Sequence, residues 1–144
     1  MTNYGQFHDG FFEGLWIDEA TVHFFLSTEE KERFTAVTTG VVRLIVDGLR
    51  EGNIILDVLT REPDEITTAD TSELYGSQSD ASKEEVAKRF LAEARQQGLI
   101  IFEIDASYGG TCLALVHSVE LLPRAEWMRR YCSDVSLGKQ VSHP

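Results

Sequence analysis

Through the first sixty residues apolar and polar side chains alternate with period two, the spacing of a strand with one wet face. Residues 11–18 put Phe12 and Trp16 on one side and Phe11, Leu15 and Ile17 on the other. Residues 21–27 set Val22, Phe24 and Leu26 against His23 and Phe25. The charged run 27–33 marks the solvated turn beyond this pair. Residues 34–46 predict one long strand with a bulge or bend at Gly40, a short helix over 41–46 being the alternative. Asp47-Gly48 and Glu51-Gly52-Asn53 then punctuate the chain before a strand over 54–60. About four strands in a meander follow from this pattern.

The period changes to that of a helix over 82–97. Ser82-Lys83-Glu84-Glu85 has the form of a capping box, Val86, Phe90, Leu91 and Ala94 make an apolar stripe, and Gly98 is placed to end the helix in a left-handed conformation. Glu84 with Lys88 and Glu85 with Arg89 are spaced for ion pairs on the wet side. Between 99 and 122 two apolar runs flank Ser107-Tyr108-Gly109-Gly110, a hairpin signal because both glycines tolerate positive φ. On the first arm Ile100, Phe102 and Ile104 oppose Glu103 and Asp105. On the second, Leu113, Leu115, His117, Val119 and Leu121 oppose Cys112, Ala114, Val116 and Ser118. That arm is apolar on both sides, so it is expected at the middle of a sheet, covered by the helix and by a folded-over sheet or a second subunit. A short amphipathic helix is predicted over 124–132, with Trp127 and Tyr131 one turn apart. Residues 61–81 are acidic and poor in apolar side chains and predict a mobile loop, or an acidic lid; 133–144 predict a flexible tail. The fold class is α+β: one domain, an antiparallel, strongly twisted or folded-over sheet of about six strands, and one main helix packed on a face.

Composition narrows the function classes. A length of 144 residues suits one domain stabilised by burial alone. The 24 acids against 13 bases give a net charge of −11, which disfavours nucleic acid and anionic membranes and suits a basic protein partner. The start of the chain shows neither a basic segment nor an apolar run, no stretch is long enough to span a bilayer, and only Cys112 and Cys132 are present. A cytoplasmic protein with reduced thiols is expected, Cys112 being a small buried hydrophobe.

Motifs for phosphate loops, dinucleotide folds, zinc proteases, Cys-x-x-Cys redox sites and nucleophile elbows are all missing from the sequence. His8-Asp9-Gly10, just before the first strand, is the foremost polar candidate. An imidazole beside a carboxylate serves as a base or metal ligand, or ties down the entry to the sheet. Tyr108 at the hairpin tip is either an exposed binding aromatic or a cap on the turn. His23 and His117 are lone strand histidines, expected to pack or hydrogen-bond, and no cofactor or metal is expected.

Phe7-His8-Asp9-Gly10 opening a meander, the Gly52-Asn53-Ile54-Ile55 strand and the hairpin with Ser107-Tyr108-Gly109-Gly110 resemble uncharacterised bacterial small-protein families. Some relatives of that pattern are immunity proteins that neutralise a toxin. The resemblance implies a non-enzymatic interaction protein. A small ligand-binding or hydrolytic domain using His8 and Asp9 in a pocket against the sheet is the alternative, and a homodimer through the hairpin or an edge strand a third.

Overall fold

The structure is a computed structural model that describes residues 1–76 and 81–132. Among the described residues, nine strands and three helices follow in the order β1 (Thr2–Asn3), β2 (Phe11–Asp18), β3 (Thr21–Ser27), β4 (Arg33–Thr39), β5 (Arg43–Asp47), β6 (Asn53–Arg61), α1 (Thr68–Tyr75), α2 (Ala81–Gln96), β7 (Ile100–Tyr108), β8 (Thr111–Val116), β9 (Ser118–Pro123) and α3 (Arg124–Tyr131). Short 3-10 turns cover Gly5–Phe7 and Pro63–Glu65. All strands belong to one antiparallel sheet, open in the order β5-β8-β7-β6-β2-β3-β4-β9, with β1 beside β6.

The α+β class and the antiparallel sheet match expectation, whereas nine strands replace about six. Two of the expected strands are bent: 34–46 divides at Gly40 into β4 and β5, and the return arm divides at His117 into β8 and β9. The two bends face each other. Register passes from Thr39↔Ser118 to Arg43↔Leu115, one residue out of step, as at a bulge. The Val42 N–H donates to the Leu115 carbonyl at 2.8 Å and the His117 N–H to the Thr39 carbonyl at 3.0 Å. Gly40 has φ +61, and a Cβ there would lie 2.4 Å from His117 Cδ2. The ninth strand, β1, is a two-residue pairing.

Bulges also move side chains between faces. In β2 the register steps between Phe12 and Gly14, so Leu15 joins Phe12 against the core and Trp16 turns to the opposite side, not the shared face that strict alternation predicts. Past His117, Val119 and Leu121 pack against the same core as Cys112, Ala114 and Val116, again reversing the predicted phase. The core gathers Phe12, Phe24, Ala36, Val58, Phe102 and Ala114, each from a different strand, so one face of the sheet wraps round them.

The other face of β7 and β8 carries Ile101, Leu113 and Leu115, buried with Leu74 of α1 and Ala94 of α2. β8, the first part of the return arm, is thus covered on both sides within one chain, but the arm does not occupy the middle of the sheet: β8 lies second from one end of the strand order and β9 at the other end, because the bend at His117 separates the two halves. Helix α1 occupies the segment predicted as loop. A capping box forms it: the Asp70 N–H donates to Thr67 Oγ1 at 3.3 Å and the Thr67 N–H to Asp70 Oδ2 at 2.8 Å. Residues 77–80 of the predicted loop and the predicted tail, 133–144, lie outside the described residues. Helix α2 begins at Ala81, which places Ser82 inside its first turn instead of at the cap. Ala87 and Ala94 are its buried positions; Val86 is exposed, and Phe90 stacks on Tyr75 with ring centroids 3.7 Å apart. Glu84 and Lys88 meet at 3.8 Å. At Gly98, φ +68, the Leu99 N–H donates to the Ala94 carbonyl and the Gly98 N–H to the Arg95 carbonyl, the Schellman closure that the glycine predicts.

The hairpin tip is wider than a two-residue Gly-Gly turn. Pairing of β7 with β8 runs from Ile100↔Val116 to Ile104↔Cys112, and β7 continues beside β6 to Ile54↔Tyr108. Only Gly109 of the two glycines has positive φ, +88. Its place is set by Asn53, which is 3% exposed. Asn53 Oδ1 accepts from the Gly110 N–H at 2.8 Å and the Arg50 N–H at 3.0 Å, while Nδ2 donates to the Phe12 carbonyl at 3.1 Å and to the Arg50 carbonyl. One amide therefore joins β2, the turn before β6 and the β7–β8 tip. Asn53→Ala strands buried donors and acceptors on all three and is expected to cost about 2–4 kcal/mol, read as a lowered denaturant midpoint. An unchanged midpoint would mean that the three segments hold without the amide.

Candidate functional site

His8 and Asp9 sit between two buried anchors. Phe7 is fully buried, edge-on to Phe34 at 5.4 Å, and a Cβ on Gly10 would lie 2.2 Å from the Ser27 carbonyl oxygen. The chain between them arches outward, leaving the His8 and Asp9 side chains more than half exposed. His8 Nδ1 is 2.8 Å from the Leu56 carbonyl oxygen, and Nε2 is 3.7 Å from Asp9 Oδ2. The Asp9 N–H donates to the Ile55 carbonyl at 3.0 Å. The Leu56 hydrogen bond first, then Asp9 and Asp57, raises the His8 pKa. The pair meets, ties the N-terminal segment to β6, and lies on the surface. Tyr108, half exposed, is partnered elsewhere: its hydroxyl accepts from Arg50 Nη1 at 3.1 Å and the guanidinium lies over its ring.

Beside His8 the sheet carries a group of acids. Asp57 of β6 and Asp105 of β7 are direct cross-strand partners, and Glu103 stands two residues before Asp105 on the same side. Like charges set opposite each other in a ladder destabilise it. Arg61 is engaged mainly by Asp70, donating from Nη1 to Oδ2 at 2.6 Å and from Nη2 to Oδ1 at 2.8 Å, and reaches Glu103 only at 3.4 Å. Burial raises the Glu103 pKa against the pull of Arg61, helped by Asp70, Asp105 and Glu73. Arg61 and the Thr67 N–H hold the Asp70 pKa down despite its burial. Leu56, exposed at a β6 bulge, borders the group. Sequence patterning marks Glu103 and Asp105 as polar positions but not their pairing, which depends on register.

His23 is buried in an aromatic box. Trp16 stacks on it at 4.6 Å, Tyr131 meets it edge-on at 4.8 Å, and Trp127 Nε1 donates to His23 Nδ1 at 2.9 Å. Arg124 closes the other end of α3, donating to Thr35 Oγ1 and the Phe34 carbonyl. His23 thus packs and hydrogen-bonds, as a lone strand histidine should, while His117 is exposed against Gly40. Among the described residues no set of three or more His, Cys, Asp or Glu is placed to hold a metal. The Cys112 thiol is buried, which pushes its pKa up, and Cys132 is unpaired.

Two concavities accompany these sites. A mainly apolar groove of about 180 Å³ lies between α1 and α2, with Tyr75, Val86 and Phe90 in its walls. A cleft of about 200 Å³ opens where β2 leaves β6, with Phe11, Lys31 and Arg50 in its walls. His8, Asp9 and Tyr108 line neither. Comparison with protein-family models, curated proteins and solved structures finds no match to this chain.

The His23 box makes stability depend on pH. Desolvation lowers the His23 pKa below its ordinary value, against a weaker opposing pull from Asp18. As pH falls below about 6.5 the unfolded chain takes up a proton that the folded chain refuses, so stability is lost downward from that pH. His8, with its raised pKa, acts oppositely, but it is exposed and screened. The expected result is a lower denaturant midpoint at pH 5.5 than at pH 7, followed by Trp fluorescence, and a smaller difference in His23→Phe. An equal drop in both proteins would place the titrating group elsewhere.

Proposed function

We propose that the protein is a cytoplasmic, non-enzymatic binder of a basic protein, immunity-like in the sense that the sequence resemblance implies. The docking face is the part of β6 and β7 that carries Asp57, Glu103 and Asp105, bordered by His8, Asp9 and Leu56. One observation carries this reading: Asp57 and Asp105 stand directly opposite each other while Arg61, the guanidinium that reaches Glu103, is committed mainly to Asp70. The ladder holds two like charges in register at a cost, and a lysine or arginine from a partner would remove that cost on binding. Leu56 supplies an apolar contact next to the charges. The net charge of −11 adds long-range attraction for a basic surface.

The same reading separates binding from stability. Asp105→Asn relieves the repulsion and is expected to raise stability by about 0.2–1 kcal/mol, measured by denaturant unfolding. Asp57→Asn with Asp105→Asn is expected to lose a basic partner that the unaltered protein captures from host cytosol at low salt, the captured protein being identified by mass spectrometry. Recovery of no basic partner at any salt, or equal recovery by the double variant, counts against this face.

A further inference from the structure

The cleft between β2 and the turn before β6 has a different electrostatic character from the acidic face. Two cations line it, and neither forms an ion pair among the described residues. Each is instead held in place by its own backbone and by an aromatic ring. Lys31 has φ +71 in a turn closed by its N–H donating to the Thr28 carbonyl at 2.9 Å, and its Nζ lies 3.5 Å from the centre of the Phe11 ring. Arg50 is fixed through both backbone groups by Asn53, and its guanidinium rests on Tyr108 with a bond to the hydroxyl. A cation immobilised on a ring keeps its charge free for a ligand and has little side-chain entropy left to lose. In a chain where acids outnumber bases almost two to one, this cleft gathers as many cations as acids.

Two acids share the walls. Glu13 is neutralised from behind by Arg124 at 3.3 Å, and Glu51 is exposed at the rim. The half-buried Phe11 and the buried Phe12 supply the apolar part of the lining. The ladder between β2 and β6 stops at Phe12↔Asn53, and a Cβ on Gly52 in the cleft wall would meet nothing within 4 Å, so the cleft is open on that side. Its volume of about 200 Å³ lies below the roughly 300–1,000 Å³ of sites for drug-sized ligands, which suits a small molecule.

From this we infer that the cleft binds a small organic carboxylate, its anionic end between Lys31 and Arg50 and its apolar body on Phe11. The site is separate from the acidic docking face and does not depend on it.

The test is an NMR titration of the ¹⁵N-labelled full chain at low salt with three probes: benzoate, acetate and inorganic phosphate. Benzoate is expected to shift the amides of Lys31 and of residues 50–53 saturably, and to bind about tenfold tighter than acetate or phosphate because only it uses the apolar lining. Lys31→Met and Arg50→Met should each weaken benzoate about five- to tenfold, and Glu51→Gln should tighten it, a pattern of signs that loss of folding cannot produce. Unchanged amide shifts in the core strands confirm that each variant is folded. The inference is overturned by absence of saturable shifts at these amides, by equal affinity for the three probes, or by variants that leave benzoate affinity unaltered.

Discussion

Both long antiparallel segments of this chain turn at one point, where Gly40 meets the ring of His117. Any side chain at position 40 would collide with the imidazole, and the φ of +61 is one that residues with a Cβ adopt at a cost. The bend sends β4 and β5 to opposite ends of the strand order and does the same with β8 and β9, so the sheet encloses its aromatic core instead of lying flat beside a helix layer. Phe7, Phe12, Phe24 and Phe102 fill that interior. The bulge at Glu13–Gly14 completes the curvature at β2 and turns Trp16 outward to stack on His23. Two faces of the sheet thus become available for separate tasks, one closed over the core and one carrying helices at one part and charges at another.

What could be read from the sequence follows from locality. Strand identity, the Schellman end of α2, the two-faced burial of β8 and the α3 amphipathicity depend on neighbours a few residues apart, and period and glycine placement reveal them. The place of the return arm in the strand order does not follow from them. Phase along a bent strand does not. Alternation assumes an unbroken pleat, so each bulge reverses every assignment beyond it, as at Leu15, Val119 and Leu121. Helix α1 was hidden for another reason: its sequence is polar, and Thr67, Asp70 and Arg61 specify it through capping and an ion pair rather than through an apolar stripe.

The site residues divide along the same line. His8 and Asp9 are adjacent, so sequence marks them, and they do meet; Tyr108 is marked by its turn and finds Arg50, 58 positions away. Asp57 opposite Asp105, Trp127 on His23 and Asn53 beneath the Gly109-Gly110 tip join positions 48, 104 and 57 apart. Such pairings come from strand register and from the docking of α3, and no local pattern encodes them. Asn53 is the clearest case. It lies in a Gly-Asn turn signal, yet its four hydrogen bonds fasten three segments that are remote in sequence.

Charge placement follows a consistent division between ties and open contacts. Where a carboxylate is needed to hold elements together, as with Asp70, it is given a bidentate guanidinium, and burial is offset by ionic hydrogen bonds. Where the sheet surface is open, at Asp57 and Asp105, acids are left to repel. Where cations flank a concavity, at Lys31 and Arg50, they are laid on aromatic rings and form no ion pair among the described residues. A chain optimised only for stability would pair these groups with one another, since it has cations and anions enough to do so on one small domain. Their separation leaves one surface where acids stand opposite each other and one cleft where two cations rest on rings beside two acids.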